Sequence, residues 1–120
     1  MSVDMAVWEG DRPAEADAAQ TFETLYEHYV EGEHPTEPTA KIREFVELLT
    51  ATFPDLDALD DDEVDGSPWA DTPLLGNASG PFVYLAMVAN DAGEAGWKLA
   101  VETSARLGLI AFDPQTSRLI

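Results

Sequence analysis

Residues 82–89, FVYLAMVA, form the longest apolar run in the chain. The run has the length of a strand and falls well short of the roughly 18–20 residues a membrane helix needs. It is apolar at odd and even positions alike, so both faces of the strand are covered and it belongs in the interior of a sheet. After it, Asp91 and Glu94 resemble a capping box that opens a helix over 92–107, closed by Gly108. Leu109–Phe112 then reads as a core strand, Asp113-Pro114 as a turn, and Arg118–Ile120 as an extension of the sheet edge. Before it, three prolines and three glycines between 66 and 81 forbid a long helix and leave room for a short strand near Leu74–Leu75.

The N-terminal half supplies the remaining elements. Residues 3–8, VDMAVW, alternate as a strand, with Val3, Met5 and Val7 on one face and Asp4, Ala6 and Trp8 on the other. Pro13 suits the first turn of a helix over 14–31, whose stripe is Phe22, Leu25, Tyr26, Tyr29 and Val30, with Gly32 as its stop. A second helix, 39–53, carries Ile42, Phe45, Val46, Leu49 and Phe53 before Pro54 ends it. The order β-α-α-(β)-β-α-β predicts an α+β fold, a small mixed or antiparallel sheet with three helices packed on one face. A ferredoxin-like split βαβ arrangement with an additional helix is the favoured topology. With no internal repeat and no long linker, residues 1–120 read as a single domain.

The 24 acidic residues outnumber 6 basic ones, giving a net charge of −18. Such a field repels nucleic-acid phosphates and anionic membrane surfaces, so neither is an expected partner, and it attracts a basic protein. It equally suits solubility in a high-salt cytoplasm or a biased genome. The start, MSVDMAVWEGD, lacks basic residues and places Asp4 within its apolar stretch, against a signal peptide; a cytoplasmic location is expected. The absence of cysteine excludes disulfides, thiolate metal sites and a thiol nucleophile.

Residues 55–71, DLDALDDDEVDGSPWAD, concentrate eight acids in seventeen positions. Asp61, Glu63, Asp65 and Gly66 imitate the start of a calcium loop, but Thr72 stands where the bidentate glutamate belongs. Pro54, Pro68 and Pro73 break the flanking helices as well, so an EF-hand is rejected. No cofactor is expected. As a contact surface for a basic protein the stretch offers Asp57, Asp60, Asp61, Asp62, Glu63, Asp65 and Asp71, with Trp69 as aromatic anchor. Trp69 has a second reading, as a plug tucked under its own loop, whereas Trp8 and Trp97 read as core.

No catalytic constellation emerges. GNASG at 76–80 lacks the spacing of a nucleophile elbow and the GK[ST] ending of a phosphate loop, and reads as a turn in which Gly76 and Gly80 permit positive φ. Its Asn77-Ala78-Ser79 sequon has no consequence without secretion. His28 falls on the polar face of its helix and His34 in a loop between Glu33 and Pro35, without the spacing of a metal pair. A pocket between sheet and helices near Trp69, Tyr84 and His28 would be the place for a ligand or a small enzyme's site.

Three segments together, DMAVWEGDRP, SPWADTPLLGNASGPFVYLAMV and GLIAFDPQTSRL, resemble a family of small, acidic, largely uncharacterised bacterial proteins common in actinobacteria. The family often has Cys where Ala111 stands, and the resemblance carries no catalytic residues over. Proteins of this size and acidity are associated with immunity to secreted toxins. The expectation is therefore a non-enzymatic acidic protein that binds a basic protein partner, of the kind a toxin-immunity protein masks. The alternatives are an accessory protein whose acidity serves solubility or salt tolerance, and a small enzyme or ligand-binding domain.

Overall fold

The computed structural model describes residues 2–32 and 36–120. His34 lies outside the described residues. A five-stranded sheet in the order β2-β3-β1-β4-β5 holds β1 (Ser2–Trp8), β2 (Ala78–Ser79), β3 (Phe82–Val88), β4 (Ile110–Asp113) and β5 (Arg118–Leu119). All neighbouring strands are antiparallel. β3 separates β1 from β2, and β1 separates β3 from β4, which is the interleaved order of a split βαβ fold, extended here by β5 at the edge. β3 is interior, as its two apolar faces require, although the middle strand is β1.

The helices are α1 (Glu15–Tyr29), α2 (Ala40–Thr52), the single turn α3 (Asp61–Val64) and α4 (Asp91–Arg106). Acidic Glu15 and Asp17 occupy the first turn of α1, where the helix dipole favours them. Thr39 caps α2 by accepting from the Ile42 N–H at 3.3 Å. At α4 the cap is Asn90, whose Oδ1 accepts from the Gly93 N–H at 3.0 Å, so Asp91 belongs to the first turn and not to the cap position. The short strand expected near Leu74–Leu75 is a 3₁₀ turn over Leu74–Asn77, and the pairing with β3 falls to Ala78–Ser79.

The helices do not share one face of the sheet. Met5, Val7, Val83, Leu85, Met87 and Ala111 pack under α2 and α4, whereas Ala6, Trp8, Phe82 and Phe112 pack under Ala18 and Phe22 of α1 on the opposite face. The reason lies in the strands, which are apolar on both sides; a single layer of helices would leave Trp8, Phe82 and Phe112 in water. Residues 36–39, ahead of α2, pass beside the β2 edge. There Gly80 donates to the Thr36 carbonyl at 3.0 Å and accepts from the Thr39 N–H at 2.9 Å. Gly80 has φ +54°, and a Cβ at that position would come within 2.7 Å of the Tyr29 ring, so the turn requires glycine. No described helix is long and apolar enough to cross a membrane.

Candidate functional site

The acidic stretch is folded, not a free loop. Leu56–Ala58 makes a 3₁₀ turn and α3 follows, with the Glu63 carboxylate accepting from the Asp60 N–H at 3.2 Å. Asp55 ties the stretch to the next segment by accepting from the Leu74 N–H at 3.1 Å. Leu56, Leu59 and Val64 are half-buried, and Asp57, Asp60, Asp61, Asp62, Glu63, Asp65 and Asp71 are all exposed. The ion pair among the described residues is Lys98–Glu94, so these acids face solvent without a basic partner.

Trp69 does not stand among them. It is 1% exposed, its Nε1 donates to the Phe53 carbonyl at 2.6 Å, and its backbone bridges Met87 of β3. The anchor reading fails, because a side chain buried in the α2–α4 core offers nothing to a partner. The plug reading describes it: an indole fills apolar space and its N–H satisfies the last turn of a helix. Nor does a pocket unite Trp69, Tyr84 and His28. Tyr84 faces the α1 side of the sheet, Trp69 the opposite core, and His28 is exposed with its ring against Tyr29. Ser79 is buried and its Oγ accepts from the Thr36 N–H at 2.9 Å, a structural role. Gly76 lies in the 3₁₀ turn, and of the two glycines in that segment it is Gly80 that has positive φ.

The cavity lies elsewhere. α1 covers only half of its sheet face. In the covered half Ala6, Trp8 and Phe82 are buried; in the other half Ser2 is exposed, and Asp4, Ala86 and Val88 are half-buried. The cross-strand register places Ser2 opposite Val88 and Asp4 opposite Ala86, so these residues share that uncovered face. A cavity of about 470 Å³ opens there, within the size range of small-ligand sites. All three tyrosines of the chain, Tyr26 and Tyr29 from α1 and Tyr84 from β3, line it. Its carboxylates are Asp4, on β1, and Asp71, which follows the Pro68–Ala70 segment.

Hydrogen bonds hold both carboxylates in place. Ser2 Oγ donates to Asp4 Oδ1 at 2.9 Å and Tyr84 Oη to Asp4 Oδ2 at 2.8 Å. Asn77 Nδ2 donates to Asp71 Oδ2 at 3.1 Å. Burial pushes the Tyr84 phenol well above its usual range, and the hydrogen bond to Asp4 and the negative charge there push it further. Tyr84 is thus a neutral donor at physiological pH. Among the described residues no arginine, lysine or histidine lines the cavity. Beside it a wider groove of about 690 Å³ runs past Asp65, Val64 and Leu56 of the acidic stretch, and Ser2, Asp71 and Ala86 line both.

Among the described residues that line the cavity, the hydroxyl of Ser2 donates to a carboxylate and that of Ser79 accepts from a backbone N–H, and neither is paired with an imidazole. Among the described residues no group of three or more His, Asp or Glu side chains is arranged to hold a metal ion. The sequence carried one overlooked signal, Asp4, an acid in a strand whose other positions from 3 to 8 are apolar. No protein-family model, no curated protein and no solved structure matches the chain.

Proposed function

We propose that the protein is a non-enzymatic, cytoplasmic binding protein that masks a basic protein partner, as an immunity protein masks a toxin domain. The observation that carries this reading is the row of exposed acids from Asp57 to Asp71, without an ion pair among the described residues, of which Asp65 and Asp71 line a groove on the uncovered half of the sheet. Complementary charge of this kind speeds encounter and fixes orientation, and its pull weakens as salt rises. The resemblance of the SPWADTPLLGNASGPFVYLAMV segment to small acidic bacterial proteins supports the immunity role by association.

A second reading, acidity for solubility alone, is favoured by the exposed Glu23, Glu27 and Glu31, which lie outside the groove. One experiment separates the two. The protein is immobilised at low salt in native lysate beside a variant with Asp60, Asp61, Asp62, Glu63 and Asp65 changed to Asn or Gln, and a second with Glu23 and Glu27 changed to Gln. Partner binding predicts a basic protein retained by the parent and the second variant and lost by the first. Retention of nothing, or equal retention by all three, overturns it.

A further inference from the structure

The tyrosine cavity has a composition that selects its occupant. It joins apolar ring surface to two carboxylates, and among the described residues none that lines it carries positive charge. An anionic ligand would meet Asp4 and Asp71 with no compensating base, and a purely apolar one would strip water from both carboxylates without replacing their hydrogen bonds. A ligand with a cationic head and an apolar stem satisfies both kinds of wall.

The carboxylates are prepared for such a head. Each Asp4 oxygen accepts one internal hydrogen bond, from Ser2 or Tyr84, and a carboxylate oxygen has capacity for two. One oxygen of Asp71 is held by Asn77, leaving the other for a ligand. The donors already present fix the geometry and leave acceptor sites vacant. The Tyr26 and Tyr84 rings stand edge to face, 5.4 Å apart and inclined at 71°, so they present surfaces in two directions. The Tyr29 ring packs closely against Gly80. Aromatic faces next to fixed carboxylates are the surroundings a guanidinium prefers, since its plane stacks on rings while its edge donates several hydrogen bonds.

We infer that this cavity is the receptor for a single arginine side chain of the basic partner. The inference rests on the partner-binding reading above and adds to it the point of insertion. A polypeptide lying in the groove along the acidic stretch passes Ser2, Asp71 and Ala86, which belong to groove and cavity together, so one of its side chains reaches the tyrosines. The acidic wall attracts; the cavity selects.

The test uses the full chain and a short glycine–serine peptide carrying one central arginine, with an otherwise identical peptide carrying citrulline, the neutral isostere. Affinity is measured by calorimetric titration, and the ring-proton resonances of the tyrosines locate the contact. The arginine peptide is expected to bind at least about tenfold more tightly than the citrulline peptide, and to shift the rings of Tyr26, Tyr29 and Tyr84. Asp4→Asn and Asp71→Asn, which change charge but not shape, are each expected to weaken it by about tenfold. Equal binding of the two peptides, or tyrosine resonances that stay unmoved, overturns the inference. That comparison needs only the parent protein, so it stands even where a variant fails to fold. Failure of the cavity is distinct from failure of the wider reading. If the cavity is wrong, Asp4→Asn and Asp71→Asn retain the basic partner that the neutralised acidic stretch loses. If the wider reading is wrong, no basic protein is lost on neutralising that stretch, whatever the peptides do.

Discussion

Trp69 Nε1 donates to the Phe53 carbonyl at 2.6 Å, closing the end of α2 with a side chain sixteen residues further along the chain. The two rings also meet edge to face, 6.3 Å apart at 82°. One indole thereby joins the helix end, the Pro68–Ala70 segment alongside β3 and the α2–α4 core. Trp69→Phe removes the donor, leaves that carbonyl without its partner and opens a small void. The expected loss is roughly 2–4 kcal/mol, from the orphaned acceptor and the lost volume together. Chemical denaturation measures it. A loss under about 0.5 kcal/mol, typical of a surface position, would return Trp69 to the role of exposed anchor.

Packing behind the same indole explains a glycine within a helix. Gly96 of α4 is buried, and a Cβ there would lie 2.5 Å from Pro68 Cβ and 3.4 Å from Trp69 Cζ3. Helix propensity alone would make alanine better than glycine by about 1 kcal/mol. The clash is with a proline ring that cannot rotate away, so overpacking wins and Gly96→Ala is expected to destabilise by about 1–3 kcal/mol. Gly66→Ala is the matched control. Its Cβ would meet only the Glu63 carbonyl, at 3.6 Å, and stability should change by less than about 0.5 kcal/mol. A Gly96→Ala protein as stable as its parent would show that α4 does not need this close approach.

The sequence showed the elements more readily than their assembly. The stripes of Phe22-Leu25-Tyr26 and Ile42-Phe45-Val46 located α1 and α2 because helical period is a local property. That α1 and α2 take opposite faces is not local, yet the signal existed. FVYLAMV is apolar on both sides, and so is the Met5–Trp8 segment, which calls for two helical layers. The cavity is harder. Asp4, Tyr26, Asp71 and Tyr84 are brought together by the antiparallel β1–β3 register and by the half-length cover of α1. Neither follows from spacing along the chain. Trp69 keeps two readings in the sequence, anchor and plug, because a charged neighbourhood says nothing about which way the indole points. The exposed acids, by contrast, were legible as such, since a run of like charges cannot be buried without partners.

Tyr84 predicts an alkaline limb to stability. Its folded phenol holds its proton far more tightly than the unfolded chain does, where the ordinary value is about 10. Below that pH both states keep the proton and the contribution is complete. Above it the unfolded chain releases the proton while the folded one retains it, so stability falls as pH rises. Thermal melts across the alkaline range should therefore decline more steeply for the parent than for Tyr84→Phe, which has no phenol to titrate. Parallel declines would mean that Tyr84 is as free as in the unfolded chain. Ultraviolet titration of phenolate gives an independent check, since one of the three tyrosines should ionise late.

Salt should stabilise this protein before any partner is present. A net charge of −18 on 120 residues repels itself, and the repulsion is concentrated where Asp60, Asp61, Asp62, Glu63 and Asp65 stand exposed without a base among them. At low ionic strength these charges interact over tens of ångströms, whereas near 1 M salt the screening length is about 3 Å. The melting temperature is expected to rise by several degrees between those limits. Changing the five acids to Asn and Gln should raise the low-salt melting temperature and flatten its salt dependence. Glu63→Gln keeps an acceptor for the Asp60 N–H, so the α3 turn survives the substitution. A parent protein whose melting temperature ignores salt would show that the acids are too well hydrated to strain the fold. The stretch proposed to bind a partner would then exact no stability cost. A parent that responds and a neutralised variant that does not would place the strain in the same stretch proposed to meet the partner, and a basic partner relieves such strain on binding.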